Sequence, residues 1–304
     1  MRTQLTDGLI KLANQNNEMI FLTGDVGFMA LEKLREKLKE KFINAGIAEQ
    51  NMIGVAAGMA SEGFIPWVYS IAPFCYARPF EQIRNDISFH NLPVKLLGNG
   101  GGYGYGVMGA THHAIEDYGV LLTLTNFKVF VPCFNEDIYP ILKLSNSNEK
   151  PTYIRIGYDE SDQEYVPPKY ETWRQLTIGE GPVIIVTGPI ATTYIKAFEK
   201  LDRKKRPNLW ILCELPILES SLPKILIEQI NLTKNLFVIE EHVAQGGIGS
   251  QISLVLIKNN ISVKSFTHLF ATSHHYDKSG SQTYLRKKCG IDLNNVMSRL
   301  QFQS

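Results

Sequence analysis

Short apolar runs alternate along the chain with longer segments in which apolar residues recur at helical spacing. This alternation predicts an α/β protein in which mostly parallel sheets are flanked by helices. In the first half, strands are predicted at residues 19–26, 42–47, 65–71, 93–99, 128–133 and 152–157. Helices are predicted between them at residues 31–41, 50–61, 74–90 and 135–144.

The alternation pauses at an acidic stretch, DESDQEYVPPKYET, which contains two prolines and has no apolar period. Such a segment is typical of a linker. The alternation then resumes with the strands GPVIIVTG, PNLWILCEL, NLFVIEEH and SVKSFTHLF, spaced by helices such as residues 192–201 and 250–258. We therefore expect two domains, residues 1–160 and 173–304, joined by a linker over residues 161–172.

Length and composition fit a folded protein of this kind. The chain has 304 residues, of which 44% are hydrophobic, and a typical domain has about 150 residues. With 31 basic and 30 acidic side chains the net charge is +1, so no overall field attracts nucleic acid or a membrane surface. The sequence shows no signal peptide or membrane-spanning stretch. Its four widely spaced cysteines indicate neither a disulfide framework nor a zinc site, so a cytoplasmic location is expected.

Two glycine-rich segments follow predicted strands. The first, GNGGGYGYGVMG at residues 98–109, contains the letters G-x-G-x-x-G. A dinucleotide site also needs an acidic residue about 20 positions later, and that residue is absent, so a nicotinamide or flavin site is not favoured. The second, EEHVAQGGIGSQI at residues 240–252, fits either an anion site at a helix N-terminus or a tight turn, and we favour the turn.

Three further segments occur in an order and spacing that resemble one enzyme family: NAGIAEQNMIGVAAGMASEG, FCYARPFEQIRNDISFHNLPVKLLG and GATHHAIEDYGVL. Together they resemble the pyrimidine-binding domain of the transketolase family of thiamine diphosphate enzymes, and G-x-A-E-Q is their most specific element. The second half, with VIEEHVAQGGIGSQI and YLRKKCGID, resembles the family's C-terminal domain. The resemblance implies a transferase that moves two-carbon ketol units between sugar-type substrates.

The glutamate of G-x-A-E-Q is Glu49, and elementary chemistry gives it a role beside the resemblance. The 4′-amino group of thiamine removes the thiazolium proton once a carboxyl group donates a proton toward N1′ of the aminopyrimidine. A glutamate at a strand-to-helix turn, among Gly46, Ile47, Ala48 and Ile53, is expected to be desolvated, which favours a shared proton. The alternative is a helix N-terminal glutamate stabilised only by the helix dipole.

The resemblance implies further residues of the site. An aromatic ring that stacks on the aminopyrimidine is expected from Phe74 or, as second choice, from Tyr76, with core packing as the alternative for both. His112 is expected to face the substrate, where a neutral imidazole moves protons near pH 7, and His113 lies beside it at a position where glutamine is common. The alternative for this pair is two histidines that face opposite ways at a helix start, with no catalytic role.

The substrate side departs from the pattern of sugar-phosphate transketolases. Met108 stands where an aspartate usually holds a donor hydroxyl, Gly100 where a histidine is expected, and Tyr158 where an arginine receives phosphate. Arg155 precedes the position at which the phosphate-binding arginine is missing, and it is kept as a substrate-side candidate. A thioether accepts no strong hydrogen bond, and a tyrosine carries no charge for a phosphate dianion. We therefore expect a remodelled pocket for other substrates, such as a modified or nucleotide-linked sugar.

The motif that holds the cofactor's diphosphate is missing. Family members bind the diphosphate through Mg²⁺, which prefers oxygen ligands, at a G-D-G motif followed by an asparagine. The similar string here, TGDVG at residues 23–27, lacks the second half, so no metal ligand is expected in this chain.

The chain is therefore expected to pair with an N-terminal-type transketolase subunit that holds Mg²⁺ and most of thiamine diphosphate, in an α₂β₂ heterotetramer. Two alternatives remain. The chain could be the β subunit of a 2-oxo acid dehydrogenase or acetoin-type enzyme, which has a similar architecture, or a non-catalytic partner subunit.

Overall fold

The computed structural model describes residues 1–162, 164–218, 220 and 222–301. Within these residues the strands are β1 (Met19–Thr23), β2 (Phe42–Asn44), β3 (Ile65–Ile71), β4 (Lys95–Asn99), β5 (Lys128–Phe130), β6 (Thr152–Ile156), β7 (Trp173–Thr177), β8 (Val183–Thr187), β9 (Asn208–Leu212), β10 (Glu214–Leu215), β11 (Asn235–Ile239) and β12 (Ser265–Leu269). The helices are α1 (Arg2–Ala13), α2 (Glu32–Leu38), α3 (Glu49–Ser61), α4 (Ala72–Tyr76), α5 (Phe80–Gln82), α6 (Asp117–Leu121), α7 (Ile138–Asn146), α8 (Thr192–Glu199), α9 (Lys224–Thr233), α10 (Ile248–Lys258), α11 (Gln282–Cys289) and α12 (Leu293–Gln301).

The strands form two sheets, and the predicted α/β class with mostly parallel sheets is confirmed. The first sheet has the order β10-β5-β6-β4-β3-β1-β2 and the second the order β12-β11-β8-β9-β7. Neighbouring strands run parallel except in two pairs, β10 with β5 and β7 with β9, which are antiparallel. None of the described helices is long and apolar enough to cross a membrane.

One predicted strand, PNLWILCEL, divides between the two sheets. Its first part, β9, pairs with β8 in the second sheet, whereas β10 pairs with Val129 and Phe130 of the first sheet. The local pattern cannot show such a division, because no glycine, proline or other turn signal separates β9 from β10 in the sequence. A single apolar core crosses the junction and contains Leu96 of the first sheet and Trp210 of the second.

The predicted helix over residues 74–90 is interrupted. Pro79 follows α4, and a proline disfavours helical backbone at the residue before it and removes an N–H donor. The chain then continues through α5 into a π-helical segment, Ile83–Ser88, a conformation that is frequent at functional sites. The interruption places Phe74 in α4 and Arg78 in the turn that follows it.

The first helix, α1, is absent from our predictions, although its buried residues Leu5, Leu9 and Leu12 have helical spacing. In the predicted linker, the described residues form no helix or strand, and Gln163 lies outside the described residues. The segment nevertheless contacts the second half of the chain, since Nζ of Lys196 lies 2.9 Å from Oδ2 of Asp162. The domain boundaries themselves stay a prediction.

Candidate active site

Glu49 is buried at the first residue of α3, and only 2% of it is exposed. The loop after β2 positions it, because the side-chain oxygen of Asn44 accepts hydrogen bonds from the backbone N–H groups of Gly46 (3.0 Å) and Asp25 (3.1 Å). Gly46 has a φ of 70°, which glycine adopts at least cost. The low exposure of Glu49 agrees with the desolvation expected for its carboxyl group. Ile47 does not contribute to this desolvation, since it is 77% exposed.

The carboxylate of Glu49 is paired with Arg78. Nη1 of Arg78 lies 2.6 Å from Oε2 of Glu49, and Cζ of Arg78 lies 4.2 Å from the centroid of the Phe74 ring. Both contacts are favourable, since one is a charge-assisted hydrogen bond and the other a cation over an aromatic face. The sequence gives no reason to single out Arg78, because nothing in the spacing of residues shows which basic side chain reaches a buried carboxylate.

The two aromatic candidates lie in different surroundings. Phe74 is partly exposed and belongs to the cluster with Arg78 and Glu49. Tyr76 is buried in the core, and its hydroxyl donates a hydrogen bond to Oε2 of Glu116 at 3.3 Å. Burial raises the pKa of Tyr76. The structure thus brings Phe74 to Glu49 and gives Tyr76 the core packing that was its alternative.

His112 extends this cluster toward the glycine-rich segment. It ends the short 3-10 turn Ala110–His112 and is partly exposed. Its ring centroid lies 5.1 Å from that of Phe74 and 6.5 Å from that of Tyr105. Glu49, Arg78, Phe74, His112 and Tyr105 therefore form a continuous row, which we call the site wall.

His113 faces the opposite way. Its side chain is buried, perpendicular to the ring of Tyr103 at 5.1 Å and parallel to that of His274 at 5.8 Å. Burial lowers the pKa of His113, so the imidazole is neutral at pH 7. The pair therefore fits the alternative in which the two histidines face opposite ways. Only His113 points away from the site wall, whereas His112 belongs to it.

On the substrate side, Tyr105 fills the space that Gly100 leaves. Gly100 has a φ of 77°, and a Cβ atom there would lie 2.1 Å from Cδ2 of Tyr105. The hydroxyl of Tyr105 accepts a hydrogen bond from Nδ2 of Asn99 at 2.5 Å. Burial raises the pKa of Tyr105, and the neighbouring Tyr158 acts in the same direction. The sequence shows Gly100 at the position of the expected histidine, but it does not show that Tyr105 fills the space.

Arg155 makes its polar contacts where the two halves of the chain meet. The guanidinium is buried, and its Nη2 donates hydrogen bonds to the carbonyls of Ala114 at 2.8 Å and Glu241 at 2.7 Å. These contacts join the first half of the chain to the second. The predicted substrate contact of Arg155 gains no support from this placement.

The second glycine-rich segment forms the turn that we favoured. Oε2 and Oε1 of Glu240 accept hydrogen bonds from the backbone N–H groups of Ile248 (2.8 Å) and Gly249 (2.9 Å) at the start of α10. His268 also reaches Glu240, with 2.7 Å between Nε2 and Oε1. The chain's own carboxylate therefore satisfies this helix N-terminus.

Large apolar side chains are exposed in the loops at the carboxyl edge of the first sheet. They follow β1, β2 and β4, and we call them the apolar rim: Phe28, Met29, Ile47, Val107 and Met108. Exposed apolar groups gathered around one edge are typical of an interaction surface. Among the described residues, no group of three or more histidine, cysteine or acidic side chains is placed to hold a metal ion.

Comparisons with known proteins give a consistent picture. The family model for the transketolase pyrimidine binding domain matches residues 1–160. One of the subunits of the apulose-4-phosphate transketolase of Phocaeicola vulgatus is 31% identical over 276 residues, which cover 86% of this chain and 85% of that protein. 1-Deoxy-D-xylulose-5-phosphate synthase 2 of Geobacter sulfurreducens is 25% identical over 305 residues, which cover 96% of this chain but only 47% of that protein.

One solved structure matches over nearly the whole chain. It is described as a split gene transketolase, an inactive beta4 tetramer, and superposes with a TM-score of 0.83 at 28% identity. The match covers 99% of this chain and 96% of that chain. The likeness therefore includes both sheets and the junction between them.

Proposed function

Because this chain belongs to the transketolase family, we propose that it is the pyrimidine-binding and C-terminal subunit of a split, thiamine diphosphate-dependent transketolase. The observation that carries the proposal is the site wall. A buried carboxyl group, an aromatic face and a partly exposed imidazole come together at the carboxyl ends of parallel strands, where α/β proteins bind their ligands.

The residues of the wall fit an aminopyrimidine ring. Phe74 and Glu49 already hold a planar cation between them, the guanidinium of Arg78, so a flat ring with a basic nitrogen suits the same pair of groups. When bound, thiamine diphosphate supplies the electron sink that breaking a carbon–carbon bond beside a carbonyl requires. Glu49 holds and shares the proton at N1′, Phe74 orients the ring, and His112 moves protons at the substrate.

Support for a partner subunit comes from the apolar rim and from the missing diphosphate motif. The rim surrounds the edge at which Glu49 lies, so a second subunit seated there excludes water from both the rim and the site. We propose that this subunit holds Mg²⁺ and the diphosphate, and that the two chains assemble as α₂β₂.

The substrate proposal rests on the surroundings of His112. Tyr105, which fills the space over Gly100, presents a phenol, Met108 a thioether and Tyr158 a second phenol, where the family resemblance implies a histidine, an aspartate and an arginine. Two-carbon ketol transfer between sugar-type substrates other than the common pentose and hexose phosphates suits such a pocket.

Reconstitution tests the proposal. The chain is produced together with a candidate diphosphate-binding subunit from the same genome, and ketol transfer is measured with and without thiamine diphosphate on a panel of phosphorylated and unphosphorylated ketoses and aldoses. We expect cofactor-dependent transfer by the complex and none by either chain alone. Tight calorimetric binding of thiamine diphosphate to this chain alone would contradict the need for a partner, and robust turnover of xylulose 5-phosphate with ribose 5-phosphate would contradict the remodelled pocket.

A further inference from the structure

Arg78 makes both of the contacts that the proposed function gives to the aminopyrimidine ring. Its guanidinium lies over the ring of Phe74 at 4.2 Å and donates a hydrogen bond to Glu49 at 2.6 Å. A guanidinium group is planar, stacks on aromatic faces and carries N–H donors at its edge. An aminopyrimidine is likewise planar and meets a carboxyl group at its edge. The two groups therefore compete for one place.

We propose that Arg78 is a gating residue of the aminopyrimidine subsite. Its side chain occupies the subsite until the cofactor ring takes its place between Phe74 and Glu49, and it then turns away from both groups. The inference rests on the proposed function, because it takes Glu49 and Phe74 as the cofactor contacts.

The difference in burial between the paired groups supports this exchange. The side chain of Arg78 is 42% exposed, whereas that of Glu49 is 2% exposed. The guanidinium group of Arg78 is only partly desolvated while it is paired, so its release costs little, but a buried carboxylate without a partner is strongly unfavourable. Exchange is thus favourable only for a ligand that both stacks on Phe74 and bonds to Glu49. The pair keeps Glu49 stable before the cofactor binds and discourages other ligands.

The position of Arg78 in the chain allows the movement. Arg78 lies in the turn between α4 and α5 and is followed by Pro79, so its backbone is not held in a continuous helix. Its long side chain can reorient by rotation about its own bonds, without displacement of α4 or of Phe74.

The ion pair is tested first in the free chain by a double-mutant cycle on thermal melting. We expect Arg78→Met to lower the melting temperature by about 5 °C, since it strands the Glu49 carboxylate. In a Glu49→Gln background the same substitution should have almost no effect, because the amide is neutral. Equal shifts in both backgrounds would show that the pair is not formed and would overturn the proposal.

Gating is tested by calorimetric titration of the two-chain complex with thiamine diphosphate, which does not depend on activity. Removal of a competing side chain raises the fraction of binding-competent sites, so Arg78→Met should bind about tenfold more tightly than the wild type. The matched control is Arg84→Met, because Arg84 is exposed and bonds the adjacent Asn85 at 3.4 Å. Its affinity should not change.

Each result has a definite meaning. Weaker binding by Arg78→Met would show that Arg78 holds the cofactor, and unchanged binding would show that it does not occupy the subsite. Either result contradicts gating while leaving the proposed function intact. If the wild-type complex binds no thiamine diphosphate, the proposed function itself fails, and the gating role fails with it.

Discussion

The guanidinium Nε of Arg155 lies 3.2 Å from Oδ2 of Asp117, and both side chains are buried. The same guanidinium bonds two backbone carbonyls, one in each half of the chain. Loss of one member of a buried ion pair leaves the other charge without compensation. The hydrogen bond to the Glu241 carbonyl makes Arg155 a tie between the two halves of the chain, and Asp117 compensates its buried charge.

Replacement of Arg155 by methionine should accordingly destabilise the free chain by about 3 kcal/mol or more in urea denaturation. Arg84→Met, at an exposed position, is the control and should cost less than about 0.5 kcal/mol. Unchanged stability together with a raised KM for the sugar substrate would instead favour the substrate contact expected from the sequence.

Glu49→Gln should lower cofactor-dependent turnover by the complete complex about 100-fold or more, because an amide cannot share the proton that a carboxyl group shares. The free chain should stay folded, since the side chain of Arg78 is 42% exposed and can be solvated when it loses its partner. Steady-state kinetics and circular dichroism give the two readouts. Glu62→Gln, at an exposed residue just after α3, should retain full turnover. A fully active Glu49→Gln enzyme would contradict the role of Glu49.

The buried His113 should make stability depend on pH. Burial lowers its pKa in the folded chain below the ordinary value of 6.5, so below about pH 6.5 the unfolded chain binds a proton that the folded chain does not. The folded chain therefore loses no stability through His113 above about pH 6.5, and it loses stability progressively as the pH falls below that value. Between pH 7 and pH 5, the free energy of unfolding measured in urea should therefore fall less steeply in His113→Gln than in the wild type. The two slopes should differ by at most about 1.4 kcal/mol per pH unit.

Two comparisons frame this pH experiment. Arg84→Met, at an exposed residue that does not change charge between pH 5 and pH 7, should keep the wild-type slope. His242 is also buried with a lowered pKa, so part of the dependence remains in every variant. Identical slopes for wild type and His113→Gln would show that His113 does not titrate as described.

Gly100→Ala should disturb the substrate side of the site wall. The new Cβ would lie 2.1 Å from the ring of Tyr105 at a residue with a φ of 77°, so Tyr105 must move and the backbone is strained. We expect a loss of about 1–3 kcal/mol in urea denaturation. Gly58→Ala is the matched control, because a Cβ at that helical glycine meets nothing within 4 Å, and it should be neutral or stabilising by up to about 1 kcal/mol. Equal stabilities would contradict the packing of Tyr105 on Gly100.

Much of the architecture could be predicted. The predicted strand at residues 65–71 coincides with β3, because it is a short run that is buried almost throughout. The predicted helix at residues 50–61 lies within α3, whose buried residues Met52, Ile53, Ala56, Ala57 and Ala60 recur at helical spacing. The helix expected over residues 74–90 was wrong in its continuity, since proline chemistry at Pro79 prevailed over the period. Division of β9 from β10 depends on the neighbours of each segment, which no local pattern records.

The sequence by itself determined the α/β class and the candidates Glu49, Phe74 and His112, because periodicity and short motifs act locally along the chain. Only the tertiary structure decided that Arg78 pairs with Glu49, that Tyr105 fills the space over Gly100, and that Arg155 is a buried tie. These relationships join elements through packing and charge compensation. The side chains that meet in a folded interior are selected by shape, burial and charge in three dimensions, which their spacing along the chain does not reveal.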